Sequence, residues 1–117
     1  MLKRVAEITY FVPDLKEYLD WLVRTLDARP TAIFDNLIQC RVGSTMVSIH
    51  PSDDKGEAGP GGQVAYWAVS DLNTAITRFE QNGARLFRGP LRGVDGPWVA
   101  QTQDPWGNVW GLIQTVD

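Results

Sequence analysis

Asp104-Pro105-Trp106-Gly107-Asn108-Val109-Trp110-Gly111-Leu112 joins a turn sequence to an aromatic, β-forming run. Asp-Pro biases the aspartate toward extended backbone and presets the next φ. Gly-Asn supplies two residues that tolerate positive φ, so a tight reversal is predicted over 104–108. Val109, Trp110, Leu112 and Ile113 are β-formers and predict a strand that enters a sheet. By its local chemistry the stretch is an ordinary hairpin, and the remaining residues decide whether it is more.

Outward from the hairpin, the second half of the chain reads strand, helix, strands. Gln63 to Val69 predicts a strand, Asp71 caps a helix, and Leu72, Ala75, Ile76 and Phe79 repeat at i, i+3, i+4 and i+7 until Asn82-Gly83. Three short strands fit 84–117. The first half reads the same way. Val5 to Val12 predicts a strand and Pro13-Asp14 opens a helix whose apolar face is Leu15, Tyr18, Leu19, Leu22, Val23 and Leu26. Two strands fit Thr31 to Val42 around an Asp35-Asn36 turn, and Thr45 to His50 makes a fourth. Ile8-Thr9-Tyr10-Phe11-Val12-Pro13-Asp14-Leu15 superposes on Ala65-Tyr66-Trp67-Ala68-Val69-Ser70-Asp71-Leu72, and an internal repeat is the economical reading. Between the halves, residues 51–62 carry four glycines and two prolines and no apolar residue larger than alanine, which makes them a linker.

At 117 residues, 44% hydrophobic and 21% charged, the chain has the size and composition of one soluble domain. A net charge of −3 without a basic cluster argues against nucleic acid and anionic lipid as partners. No apolar run reaches the ~18 residues a transmembrane helix needs. Met1-Leu2-Lys3-Arg4-Val5 lacks the apolar segment and cleavage site of a signal peptide, so a cytoplasmic protein is expected. The single cysteine, Cys40, lies among strand residues and reads as a small buried side chain.

Paired strand–helix–three-strand modules, each opening with Val-x-Asp-Leu and the second closing with Asp-Pro-x-Gly-Asn, resemble the vicinal oxygen chelate superfamily of glyoxalases, extradiol dioxygenases, fosfomycin-resistance enzymes and bleomycin-resistance proteins. The resemblance covers essentially the whole chain. It implies an α+β fold in which two tandem βαβββ modules, 1–50 and 63–117, form a cupped mixed sheet with helices on the outer face. A ligand or metal would sit in the concavity.

The metal-dependent members place ligands at four corners, and the resemblance carries these over by position. The first is Glu7, seven residues before Asp14, and its counterpart is Val64, or Gln63 after a one-residue slip. The last strand of the first module offers Ser48 or His50, which share a face. The fourth corner, usually glutamate before leucine, is Gly111 before Leu112. A catalytic divalent metal needs about three ligands from His, carboxylate or thiolate, and only Glu7 and His50 qualify here. No metal or other cofactor is therefore expected, and Glu7 and His50 are the ligands if one binds.

Aromatic surface takes the metal's place in this reading. Of the five tryptophans, Trp21 and Trp67 read as core. Trp98, Trp106 and Tyr66 are candidates for the cup, and Trp110 is ambiguous: strand parity turns it to the helices, while Gly111 opens space beside it. Glu7, Gln101 and Gln103 add polar groups. Such a lining suits a flat organic ligand, and the net charge favours a cationic one. The resulting expectation is a non-catalytic, homodimeric small-molecule-binding protein resembling the bleomycin-resistance branch. The alternative is a metal-dependent glyoxalase-like isomerase or lyase, or a dioxygenase. The two diverge on whether His50 and Glu7 converge.

Overall fold

A computed structural model of the protein describes residues 1–115. The predicted second module therefore extends two residues beyond the described ones. The chain forms two compact units, 1–58 and 59–117, each a βαβββ module with its own mixed four-stranded sheet.

In the first unit β1 (Ile8–Val12) leads into α1 (Leu15–Leu26), followed by β2 (Arg29–Phe34), β3 (Leu37–Val42) and β4 (Thr45–Pro51). The strand order is β1-β4-β3-β2, with β1 parallel to β4 and the other pairs antiparallel. Helix α1 starts where Asp14, in extended backbone, accepts the Glu17 amide at 3.0 Å. It stops at Asp27, whose φ of 56° turns the chain so that Asp27 and Ala28 amides satisfy the Val23 and Leu22 carbonyls. Its buried stripe is Tyr18, Leu19, Trp21, Leu22 and Thr25. Val23, assigned to that stripe by periodicity, is exposed instead, and Trp21 is core as read. The helix packs on the face that β1 presents through Tyr10 and Val12, with Tyr10 and Tyr18 rings 6.2 Å apart.

In the second unit β5 (Tyr66–Val69), α2 (Leu72–Gln81), β6 (Arg85–Arg92), β7 (Trp98–Gln103) and β8 (Val109–Gln114) repeat the plan in the order β5-β8-β7-β6. Asp71 caps α2 through the Thr74 amide, and Leu72, Ile76 and Phe79 are its buried positions. Trp67, Trp110 and Phe79 cluster on the helix side, with Trp110 5.5 Å from Trp67 and 6.0 Å from Phe79 between ring centroids. Strand β5 begins at Tyr66, three residues later than the sequence suggested, so Gln63 and Val64 both precede it. Edge strand β6 pairs with β7 through two register shifts, between Leu86 and Arg88 and between Arg88 and Leu91.

The glycine-rich segment is ordered by contacts within each unit. Asp53 accepts the amides of Lys55 and Gly56, and Gly56 lies against the Phe11 ring so closely that a Cβ there would meet it at 2.6 Å. Those two backbone bonds, aided by the nearby His50, hold the Asp53 carboxyl below the usual range. Gly59 donates to Asn108 Oδ1 at 3.0 Å. Among the described residues no helix is long and apolar enough to cross a membrane.

Candidate functional site

The closing hairpin is organised by one buried carboxylate. Asp104 Oδ1 accepts the backbone amides of Trp106 and Asn108, both at 3.0 Å, and Oδ2 accepts Trp110 Nε1 at 3.1 Å. Gly107, at φ 100°, completes the reversal by donating to the Asp104 carbonyl. Gln103 Nε2 donates to the Gly107 carbonyl at 2.9 Å. The predicted turn and strand are thus present, and the turn fixes the register of β8 as the inner strand between β5 and β7.

That register lines up Tyr66, Gly111, Gln101 and Arg88 across all four strands, on the face opposite α2. Gly111 has no room for a side chain: a Cβ would come within 2.7 Å of the Ala65 carbonyl oxygen and 2.8 Å of the Tyr66 ring. The space that sequence reading left open beside Gly111 is filled by Tyr66. Gln101, only 8% exposed, pins that ring by donating from Nε2 to the Tyr66 hydroxyl at 2.8 Å. With Oη accepting, the phenolic proton is left to donate elsewhere. One row along the strands, Arg85 pairs with Gln103 and donates to its Oε1. One row the other way lie Ala68, Ile113, Val99 and Leu91.

The open face of the first sheet carries Thr9, Phe11, Ser48, His50 and Gln39. His50 Nδ1 lies 2.8 Å from the Pro51 carbonyl, which only accepts, so Nδ1 carries a proton and donates it there. Its ring sits 5.1 Å from that of Phe11. Ser48 is 2% exposed and its hydroxyl has no partner among the described residues. Glu7 is exposed and precedes β1. Phe11 pairs with His50, so Glu7 lies four residues short of the His50 level, roughly 13 Å at the rise of a strand. These two residues do not converge.

Of the residues selected from sequence, Tyr66, Gln101, Gln103 and Gly111 share one face, and Ser48 and His50 share another. Trp98 is elsewhere. Its parity with Ala100 and Thr102 turns it to the helix side, where it lines a cleft of about 360 Å³ with Leu72, Asn73, Pro90 and Gln114. Trp110 is on the helix side too, 1% exposed in the core, and Trp106 is half-buried within the turn. Sequence reading missed Arg85 and Arg88. Three positions apart, they would point to opposite faces of a regular strand, and only the register shift after Leu86 puts both on the Gln101 face. Gly89-Pro90 was the available signal of irregularity.

The metal implied by the resemblance does not fit these residues. Gly111 offers no donor and its Cβ volume is taken, Val64 cannot coordinate, and the register separates Glu7 from His50. Among the described residues no group of three or more His, Cys, Asp or Glu side chains is gathered to hold a metal ion. Cys40 is no substitute: burial pushes its thiol up to about 11.

No curated protein sequence matches the chain. Among solved structures, a glyoxalase-related enzyme from Fulvimarina pelagi superposes with a TM-score of 0.76 at 19% identity, covering 97% of this chain and 89% of that one. The fosfomycin resistance protein FosX from Listeria monocytogenes, complexed with Mn(II) and sulfate, gives 0.80 at 14% identity over 97% and 91%. A glyoxalase/bleomycin resistance protein/dioxygenase family enzyme from Burkholderia phytofirmans gives 0.80 at 11% identity over 96% and 98%. At such identities the likeness concerns the fold, which in each case is the α+β arrangement of tandem βαβββ modules. The sequence profile of the Glyoxalase/Bleomycin resistance protein/Dioxygenase superfamily matches residues 4–112, and the chain therefore belongs to that superfamily.

Proposed function

We propose that the chain is a small-molecule-binding protein that holds an organic ligand on the open face of its second sheet, without a metal at the four corner positions. The observation that carries this reading is the Tyr66 ring lying over Gly111 and pinned by Gln101. An aromatic platform with an oriented hydroxyl stands where a coordinating side chain would have to project. Such a surface binds by stacking and hydrogen bonding, and it supplies no metal-activated oxygen and no paired acid and base. Sequestration of a harmful compound is the role it suits, and the fold shared with a fosfomycin resistance protein supports a protective function. We also propose a homodimer, which sedimentation equilibrium tests directly.

The test is calorimetric titration of chelator-stripped protein, first with Mn(II), Zn(II), Ni(II) and Fe(II), then with planar aromatic compounds. The reading expects no stoichiometric metal uptake, and aromatic binding that Tyr66→Ala and Gln101→Ala each weaken about tenfold. Tight metal uptake lost in Glu7→Ala and His50→Ala variants would overturn it and favour the metal-dependent isomerase.

A further inference from the structure

We infer that the ligand of this face is an organic oxyanion: an apolar body bearing a carboxylate-type group, seated with the oxyanion at Arg88 and the body on the neighbouring apolar row. This rests on the binding reading above and adds the chemical class of the ligand.

The charge on the sheet is opposite to that of the chain. Net charge is −3 overall, and on that basis a cation was expected. Strands β5 to β8, however, contain three arginines, Arg85, Arg88 and Arg92, and no acidic residue. The acids of this unit within the described residues lie off the face: Asp71 caps α2, Glu80 is on α2, Asp95 is in the β6–β7 turn, and Asp104 spends both oxygens on N–H donors.

The three guanidinium groups are not equivalent. Arg92 pairs with Trp98 on the helix side and donates to the Gly96 carbonyl. Arg85 donates to Gln103 and sits over the Phe87 ring at 5.7 Å. Arg88 makes no hydrogen bond, ion pair or ring contact with any described residue, and it is exposed. It stands beside Gln101 in the row that ends at Tyr66. That row presents the guanidinium fork at one end and a phenolic proton at the other, both donors. An acceptor-rich anion satisfies both, whereas an ammonium group would meet like charge at Arg88.

The adjacent row is wholly apolar. Ala68, Ile113, Val99 and Leu91 run parallel to it at about 7 Å, two residues along β5, β8 and β7 and three along the bulged β6, and Leu91 is 50% exposed. A ring system laid along this row brings a carboxylate within reach of Arg88. The face is amphipathic in the same sense as an aromatic or branched carboxylic acid.

Titration of the full chain with 2-naphthoate, 2-naphthamide and 2-naphthylmethylammonium, with calorimetric readout, tests this. The expected result is naphthoate at least tenfold tighter than the amide, and the ammonium compound no tighter than the amide. Arg88→Gln should weaken naphthoate at least tenfold more than it weakens the amide and so abolish the preference, and Arg88→Lys should retain part of it. Equal affinity for acid and amide, tighter binding of the ammonium compound, or a preference that survives Arg88→Gln would each overturn the oxyanion assignment and leave the binding reading standing. Binding of none of the three would overturn both.

Discussion

Trp110 Nε1 donates to Asp104 Oδ2 at 3.1 Å, so the first residue of the closing turn and the inner strand of the second sheet share one buried hydrogen bond. Replacing Asp104 by Ala strands this indole N–H and two backbone amides together. The expected cost is about 2–4 kcal/mol in urea denaturation. Asp104→Asn keeps one acceptor oxygen but sets an NH₂ against one of the three donors, and about 1–3 kcal/mol is expected. Equal losses in the two variants would show that the charge, rather than the paired acceptors, holds the turn.

Gly111 and Tyr66 form a coupled pair. Gly111→Ala places a methyl inside the contact distance of both the Tyr66 ring and the Ala65 carbonyl oxygen, and about 1–3 kcal/mol of destabilisation is expected. Tyr66→Ala should relieve only the ring part of that cost, because the carbonyl remains. A double-mutant cycle on thermal unfolding checks this: full rescue, or no rescue, would contradict the packing described.

Cys40 is fully buried and its thiol is pushed up to about 11 by desolvation. Native protein should therefore react negligibly with a thiol reagent at neutral pH and give one equivalent after denaturation. Burial disfavours the thiolate, so the folded state holds its proton longer than the unfolded chain does. Wild-type stability relative to Cys40→Ala should be constant below the ordinary value of 9.0 and fall as pH rises toward about 11. A constant difference across that window would count against the assignment.

The Asp53 carboxyl, held low by the Lys55 and Gly56 amides, leads to a local prediction. Its ionised form supports the loop above the ordinary carboxylate value of 3.8, and that support is lost as pH falls toward the lower folded-state value. Amide proton shifts of Lys55 and Gly56 should titrate together with a midpoint below 3.8, and the titration should vanish in Asp53→Ala. A midpoint at or above that value would mean that the loop bonds are absent in solution.

Much of this architecture was legible because capping and periodicity are local. Asp14 and Asp71 start their helices as read, the Asp35-Asn36 turn lies between β2 and β3, and the 104–108 reversal forms where Pro and Gly require it. Legibility ended where a bulge or a side-chain contact set the outcome. Parity arithmetic from the hairpin could not settle whether the space beside Gly111 was open, because that depended on where the Tyr66 ring came to rest. Trp98 looked like a site residue from its nearness to the hairpin in sequence, yet strand alternation with Ala100 sent it to the other face. Arg88 was invisible for the converse reason: the register shift after Leu86 moved it to a face that a regular strand would have denied it.

In both modules the last strand in sequence takes an inner place in the sheet: β4 joins β1 to β3, and β8 joins β5 to β7. During synthesis the first strand of each module therefore waits through a helix and two further strands before its sheet partner among the described residues emerges. A chain halted between Gln81 and Val109 would hold β5 without β8, the strand it pairs with in its own sheet, when the first module already has all its strands. The repeat thus sets an order of assembly, in which each half is sealed by the final residues it receives.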